Sequence, residues 1–218
     1  PSEHIMPSRF PRLYPFLRLF PLFAVLLCVL CTLPAQAGPI DAKSAILMDV
    51  TTGRILYEQR PDMRIPPASL TKVLSMYVAM DAISARKTSY QRKVTVSRNA
   101  ARTRGSSMSL KTGDVVTLDK LFYGMAVASG NDASAAVAEH VAGSEQAFVQ
   151  RMNTLARRLG MKNSRFQNVH GLPADGQYTT ARDMLKMARS YERKYPSARK
   201  YHLARSITHN GKSEPNHN

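Results

Sequence analysis

Cysteine is nearly absent from this chain, and both copies lie close to its N-terminus. The 218 residues include two cysteines, Cys28 and Cys31, which fall inside one apolar run. The rest of the chain therefore has no cysteine for a disulfide, a thiolate nucleophile or a zinc-thiolate site. The sequence also lacks a phosphate-binding glycine loop, a G-x-S-x-G elbow and a histidine pair at metal spacing. We therefore expect neither a metal nor a cofactor.

Acidic residues are scarce relative to basic ones. The chain has 31 lysines and arginines against 15 aspartates and glutamates, a formal net charge of +16. Without the three arginines and one glutamate of its first 37 residues the charge is +14. Such a protein should concentrate at anionic surfaces, which outside the cytoplasm means the cell wall or an anionic membrane surface. Nucleic acid is the other usual partner of such charge, but the export signal described next argues against it.

The first 37 residues have the pattern of a secretory signal peptide. A basic start precedes the apolar run 19–33, which is short for a membrane span, and a small-x-small cleavage site ends at Ala37. An uncleaved membrane anchor is the alternative. Met6 is the first methionine, so residues 1–5 are consistent with translated upstream sequence. We expect an exported bacterial protein, in the periplasm or at the outer face of the cytoplasmic membrane, with one domain in residues 38–218.

A serine and a lysine three residues apart begin an apolar helical pattern. Two prolines precede Ser69, and apolar residues then recur at helical spacing through residues 70–85. Ser69 and Lys72 therefore share one face at the start of a buried helix. Lysine can take a serine proton only if burial or another cation lowers its pKa. The alternative is that Ser69 is a helix cap and Lys72 is solvated.

A second serine lies at a corner between two helices. Apolar spacing predicts helices over 118–128 and 131–143, separated by the tripeptide Ser129-Gly130-Asn131. We expect Asn131 or Asp132 to cap the second helix. A serine and an asparagine would then project from a rigid support.

The remaining patterns predict a framework around these two motifs. Hairpin, strand and helix patterns cover residues 44–58, 93–97, 145–160 and 184–194. We expect the hairpin to supply a sheet against which the Ser69 helix packs. Ser144 and Thr180 are predicted helix caps, and Asp183, at capping-box spacing, is predicted to be structural rather than catalytic. The tail from residue 201 is polar, with a strand predicted near 206–208 and histidines expected at the surface, namely His202, His209 and His217.

Together, Ser69-x-x-Lys72 and Ser129-Gly130-Asn131 resemble the motifs of the penicillin-recognising serine hydrolases. From about residue 42 to the last residue, the chain resembles the low-molecular-weight D-alanyl-D-alanine carboxypeptidases of peptidase family S11. The resemblance implies an α/β (α+β) fold of the penicillin-binding protein and serine β-lactamase type, an antiparallel sheet flanked by helices. The stretches that carry it are residues 67–72, 128–133, 170–172 and 178–184.

The resemblance implies a role for each matched residue. Ser69 would attack the bond between the two D-alanines of a peptidoglycan pentapeptide, with Lys72 as proton acceptor. Ser129 would relay a proton to the departing D-alanine. Asn131 would hold the substrate amide and support Lys72. His170 would border the cleft, or simply serve as a hydrogen-bond partner within its loop. β-Lactam antibiotics would be acylating inhibitors.

The family's third motif, K-T-G on a strand across the cleft, has no counterpart in the expected place. Residues 111–113 have the right letters but precede Ser129 and lie in a predicted turn. We therefore expect residues 38–218 to be an incomplete catalytic domain that lacks later strands and exposes a sheet edge. Because such a motif supplies a cation and an oxyanion donor, we expect this polypeptide alone to be nearly inactive.

Two kinds of alternative function remain open at this point. A β-lactamase or a D,D-endopeptidase would use the same site chemistry. A non-catalytic basic protein of the cell wall would use only the net charge and leave the serine idle.

Overall fold

The computed structural model describes residues 38–216 and divides the chain into two units, residues 1–40 and 41–218. Only residues 38–40 of the first unit are described, so the predicted signal peptide lies outside the described residues. No helix within 38–216 combines the length and the hydropathy needed to cross a membrane.

The regular secondary structure of the second unit is mainly helical. The helices are α1 Thr71–Ser84, α2 Arg98–Ala101, α3 Leu118–Val127, α4 Asn131–Ala142, α5 Glu145–Arg158, α6 Ala181–Lys194 and α7 Arg199–His202. The strands are β1 Ala45–Met48, β2 Ile55–Gln59, β3 Lys93–Thr95, β4 Val115–Thr117, β5 Ser206–His209 and β6 Lys212–Pro215. The bounds of the five longer helices follow the predicted ones to within a few residues. The short helices α2 and α7 and the strands β4 and β6 were not predicted.

Helix α1 is the centre of the unit. It contacts α3, α4, α5 and α6, and its side chains are buried on nearly all sides. Leu74 and Ala79, for example, have no exposed surface. Because α1 is apolar around most of its circumference, it is stable only inside other elements. Each fully buried large side chain such as Leu74 contributes about 1.5–3 kcal/mol. The structure thus confirms the buried helix that starts beside Ser69.

The strands pair as three separate two-stranded antiparallel ladders, β1–β2, β3–β4 and β5–β6. In the first ladder Ala45 lies opposite Gln59, and a bulge follows Leu47. The predicted hairpin and its antiparallel pairing are confirmed, although residues 38–216 do not join the ladders into one sheet. The hairpin's main helical contact is between β1 and α6, so the expectation that it packs against the Ser69 helix was wrong. Leu47 and Leu56 stay about half exposed, at 55% and 49%.

Two tail histidines are not surface residues, contrary to our expectation. The His209 ring lies 3.0 Å from the Asp114 carboxylate, and its side chain is 11% exposed. The His202 ring packs edge-on against Tyr191 at 5.9 Å, and burial lowers the pKa of His202. The His202 ring therefore holds the tail against α6, and the His209 ring holds it against the turn before β4. The third, His217, lies outside the described residues.

The helix caps predicted from the sequence are confirmed at two positions and wrong at one. Ser144 and Thr180 accept backbone hydrogen bonds from Ala147 and Asp183, as their predicted capping roles require. Helix α4 is different, since its N-cap is Gly130, which has no side chain. Neither Asn131 nor Asp132 caps it.

Asp132 instead binds a loop on another part of the chain. Its carboxylate accepts hydrogen bonds from the Ser107 hydroxyl at 2.6 Å and from the backbone N–H groups of Met108 and Leu110 at 3.1 and 3.0 Å. Asp132 is 1% exposed. A short carboxylate at the first turn of α4 thus fixes the loop 107–110, which has no regular structure of its own.

Replacing this carboxylate should destabilise the fold. In Asp132→Ala the buried N–H groups of Met108 and Leu110 lose their acceptor, at about 1–3 kcal/mol each. We expect the free energy of unfolding in urea to fall by about 3 kcal/mol or more. Asp175→Ala, in an exposed loop, is the matched control and should change it by about 0.5 kcal/mol at most. Equal unfolding midpoints for Asp132→Ala and the unsubstituted chain would contradict this account.

Candidate active site

The first candidate residue, Ser69, lies in a tight turn at the start of α1. Residues Ala68–Leu70 form one turn of 3-10 helix that runs directly into α1, and the buried Pro67 precedes it. Ala68 has a φ of 46°, which is uncommon for a residue other than glycine. The Ser69 side chain remains exposed although the helix behind it is buried. The serine is therefore accessible and held by a rigid element.

Lys72 lies one turn further along α1 and is buried, with 3% of its surface exposed. Its Nζ atom lies 3.2 Å from Ser69 Oγ, 3.2 Å from Ser129 Oγ and 3.0 Å from the carbonyl oxygen of His170. These oxygens come from three separate segments of the chain. The amine is therefore the point at which the segments meet, and the solvated-lysine alternative is excluded.

Ser129 lies at the corner between α3 and α4, as predicted. It has a φ of 52°, and the following amide, Gly130 N, donates to Gly124 O at 2.9 Å. The Ser129 hydroxyl donates to Ser69 Oγ at 2.8 Å. The two sequence motifs thus form one cluster of two hydroxyls and an amine.

The surroundings of the Lys72 amine lower its pKa. Burial lowers the pKa of Lys72 from 10.5 to about 8, while the Asp132 carboxylate opposes this shift. Burial disfavours the ammonium form because that form loses its hydration. With a pKa of about 8, roughly a tenth of Lys72 is neutral at pH 7, and this fraction can accept a proton from Ser69.

His170 contributes its backbone to the cluster. Its carbonyl accepts from Lys72, whereas its ring Nδ1 accepts from the backbone N–H of Leu172 at 3.2 Å. Burial and the nearby charge of Lys72 lower the pKa of the ring to about 4, so the imidazole is neutral at pH 7. Of the two roles considered from the sequence, the loop hydrogen bond is observed directly.

Asn131 is placed differently from what the resemblance implied. Its Nδ2 donates to the carbonyl of Arg104 at 2.7 Å, its backbone N–H donates to Ser106 O at 2.7 Å, and it is 3% exposed. Within residues 38–216, the polar partners of Lys72 Nζ are the three oxygens described above, so the implied direct support of Lys72 is not made. Asn131 holds the loop 104–106 instead.

Other motifs lie outside the cluster. Asp183 accepts from Asn163 N, from Ser164 Oγ and from Lys186 Nζ, which is the predicted structural role. Residues 111–113 form a turn next to β4, with Gly113 at a φ of 88°, as expected for a chance occurrence of the K-T-G letters. A cavity of about 1090 Å³ lies along α5 and residues 161–168, and none of Ser69, Lys72 or Ser129 lines it.

Two features of the site were not found from the sequence. The His170 carbonyl was missed because any residue type can supply a carbonyl, so no side-chain pattern marks it. The long-range contacts of Asp132 were missed because an aspartate at the start of a helix is usually explained by capping. Only the packing of distant segments shows either role.

Comparison with known proteins defines the class and then the family. The structure superposes on the D-alanyl-D-alanine carboxypeptidase DacD from Francisella tularensis with a TM-score of 0.80 and 39% identity, covering 85% of this chain and 45% of that one. It matches penicillin binding protein 5 from Haemophilus influenzae equally well, at a TM-score of 0.80 and 36% identity, covering 84% and 54%. The fold is therefore that of the penicillin-binding serine hydrolases, as the resemblance implied.

The family follows from the sequence matches. Residues 32–218 match the Peptidase S11 family, described as D-alanyl-D-alanine carboxypeptidase, and the chain belongs to that family. It is 41% identical over 189 residues to the D-alanyl-D-alanine carboxypeptidase DacC of Escherichia coli, covering 84% of this chain and 47% of the relative. A D-alanyl-D-alanine endopeptidase of Pseudomonas aeruginosa is 30% identical, covering 85% and 60%. The chain spans about half the length of its carboxypeptidase relative.

The titration of Lys72 tests the electrostatics of the site without any substrate. In a chain labelled with ¹³C at the lysine Cε positions, we expect one resonance with a midpoint near pH 8. Below that pH the amine is charged, and above it the amine is neutral. The resonance should be missing from Lys72→Met, which keeps a long side chain in the same place. A Lys72 resonance with a midpoint above 10 would contradict the described burial.

Proposed function

We propose that this chain carries the acylation centre of a serine-type D-Ala-D-Ala carboxypeptidase, which removes the terminal D-alanine from peptidoglycan stem peptides. The observation that supports it most strongly is the cluster of Ser69, Lys72 and Ser129, whose hydroxyl and amine atoms lie 2.8–3.2 Å apart. An exposed hydroxyl next to a buried amine is the arrangement that an activated serine nucleophile needs.

The reaction would proceed as two acyl transfers. Lys72 Nζ takes the proton of Ser69 while Ser69 Oγ attacks the carbonyl carbon between the two D-alanines. The tetrahedral intermediate collapses, the C–N bond breaks, and the leaving amine takes a proton through Ser129. Water then attacks the carbonyl carbon of the acyl-enzyme and gives one proton to Lys72. Lys72 returns this proton to Ser69 Oγ as the ester bond breaks and the shortened peptide leaves. The backbone N–H of Ser69 would stabilise the oxyanion.

Asn131 and His170 would have secondary roles in this scheme. The amide nitrogen of Asn131 is occupied by Arg104, so its carboxamide oxygen is the atom that could accept a substrate N–H. The His170 ring would border the site as an uncharged group. Neither residue would transfer a proton.

The relatives favour carboxypeptidase activity over endopeptidase activity. The carboxypeptidase relative is 41% identical to this chain, whereas the endopeptidase relative is 30% identical. The similarity to penicillin binding protein 5 supports β-lactams as acylating inhibitors of Ser69. A β-lactamase would differ by turning its acyl-enzyme over rapidly.

Covalent labelling of Ser69 by a fluorescent penicillin tests the proposal. We expect slow, stoichiometric labelling of the purified chain that is abolished in Ser69→Ala. Because neutral Lys72 is the base, the labelling rate should rise roughly tenfold per pH unit below about pH 8 and level off above it.

Three outcomes would count against the proposal. Labelling that persists in Ser69→Ala would place the nucleophile elsewhere, and no labelling at all would favour the non-catalytic wall protein. Rapid loss of the label would favour a β-lactamase. Release of D-alanine from a diacetylated Lys-D-Ala-D-Ala peptide, compared with release from a cross-linked peptide, distinguishes carboxypeptidase from endopeptidase.

We also propose that the chain is exported and acts on the outer side of the cytoplasmic membrane. Its N-terminal sequence has the signal-peptide pattern. The net charge of +14 that remains without residues 1–37 favours the anionic polymers and lipids found there. Nucleic acid is not expected as a partner in that compartment.

Fractionation of bacteria that express the chain tests location and surface attraction together. We expect a mature protein that begins at Gly38 and sediments with the envelope at low salt. Because exposed charges are screened by salt, 1 M NaCl should release most of it. A protein found in the cytoplasm with its first 37 residues intact would contradict the proposed export. A protein that salt does not release from the envelope would contradict the proposed electrostatic attraction.

A further inference from the structure

The loop that contributes the His170 carbonyl is held by the side chain of Asn168. We propose that Asn168 is a positioning residue of the active site, which acts through the His170 carbonyl to orient the amine of Lys72. The inference rests on the proposed function, because it assigns Lys72 the role of proton acceptor. Asn168 itself touches none of the reacting atoms.

The carboxamide of Asn168 spans the turn that carries His170. Its Oδ1 accepts from Gly171 N at 2.7 Å and, at a longer 3.4 Å, from His170 N. Its Nδ2 donates to the carbonyl of Leu172 at 2.8 Å. An asparagine that bonds to the backbone two and three residues ahead fixes the intervening peptides. Because Gly171 N belongs to the same peptide group as the His170 carbonyl, this bond holds the direction of that carbonyl.

A second amide side chain, that of Gln177, holds the base of the same loop. Its Oε1 accepts from Gln167 N and Asn168 N at 3.0 and 3.3 Å, and its Nε2 donates to Leu172 O at 2.7 Å. The two carboxamides share the Leu172 carbonyl. These bonds tie the loop to itself, and the carbonyl of Val169 also ties it to α1 by accepting from Ser75 Oγ at 2.8 Å.

The loop also rests directly on the turn that carries Ser69. Gly171 has a φ of 93°, and a Cβ atom built on it would lie 1.8 Å from the carbonyl oxygen of Ala68. Only glycine allows this approach of the two backbones. The position of the His170 carbonyl is therefore fixed relative to Ser69 as well as to Lys72.

The hydrogen-bond capacity of the amine shows why this carbonyl matters. A neutral lysine has two N–H donors and one lone pair. The His170 carbonyl can only accept, so it must take one N–H. Ser129 gives its own proton to Ser69, so its oxygen is available to accept the second N–H. The lone pair is then directed at the Ser69 hydroxyl, which is the orientation that proton transfer needs.

If the His170 carbonyl moved away from Lys72 Nζ, both the orientation of the amine and its surroundings would change. Without this acceptor Lys72 Nζ can rotate about its terminal bond, and its lone pair is no longer held toward Ser69. The groups that face the amine are the Asp132 carboxylate on α4 and the neutral His170 ring on the loop. A displaced loop would also admit water to Lys72, whose burial is the main cause of its lowered pKa.

Asn168→Ala in the full chain tests the inference with two measurements. We expect the rate constant for penicillin labelling of Ser69 to fall about 10- to 100-fold, the scale of losing a correctly oriented base. We expect the Lys72 titration midpoint to move up from about 8 toward the ordinary lysine value of 10.5. In Asn168→Ser the hydroxyl can accept the hydrogen bond from Gly171 N more weakly. This variant should therefore show a smaller loss of labelling rate and a smaller rise of the Lys72 midpoint than Asn168→Ala.

The control is Asn163→Ala, the same substitution five residues earlier, where the backbone N–H makes the contact with Asp183. It should leave both measurements as they are in the unsubstituted chain. An unchanged labelling rate and an unchanged Lys72 midpoint in folded Asn168→Ala would overturn the inference. If Asn168→Ala fails to fold, the same two measurements are made on Asn168→Ser. An unchanged labelling rate and an unchanged Lys72 midpoint in that variant would also overturn the inference.

The two proposals fail differently. If the unsubstituted chain is not labelled by penicillin, the proposed function fails, yet the Lys72 midpoint still tests the positioning role of Asn168. If labelling occurs and Asn168→Ala matches the unsubstituted chain in both measurements, the proposed function stands and the positioning role is rejected.

Discussion

The structure depends on one buried amine and the three oxygens around it. Lys72 extends from the central helix α1 into a position where it is 3% exposed, and Ser69, Ser129 and the His170 carbonyl replace its water. A buried amine without such partners would be strongly unfavourable. The segments that bear the oxygens must therefore be held in place by the rest of the fold.

Two of these segments hold unfavourable backbone conformations next to the cluster. Ala68 and Ser129 have φ values of 46° and 52°, which cost of order 1–3 kcal/mol each for residues other than glycine. Such strain persists only where the surroundings fix it. Behind Ala68 lies the buried helix α1, and behind Ser129 the helices α3 and α4 meet at a tight corner. The strained residues direct both hydroxyls toward the same amine.

The predictions from sequence succeeded where a local pattern determines structure. Helix α1, the corner at Ser129 and the caps Ser144 and Thr180 each follow from spacing within one segment, and each was confirmed. The errors concern contacts between segments. Strand β4 has three residues and exists because it pairs with β3, so no run of alternating residues marks it. His209 was expected in solvent because nothing nearby in sequence indicates Asp114 as its partner.

The corner at residues 129–132 shows why neighbouring residues in one motif can have distinct tasks. Ser129 Oγ contacts the amine, while the side chains of Asn131 and Asp132 make their hydrogen bonds with the loops 104–106 and 107–110. The Asp132 carboxylate nevertheless acts on Lys72 through space, since it raises the pKa that burial lowers. Burial alone would favour a neutral but weakly basic amine, and a close carboxylate alone would keep it charged. The two effects in opposition leave an amine that is largely charged at pH 7 yet easily deprotonated, which is the condition that a proton-accepting lysine has to meet.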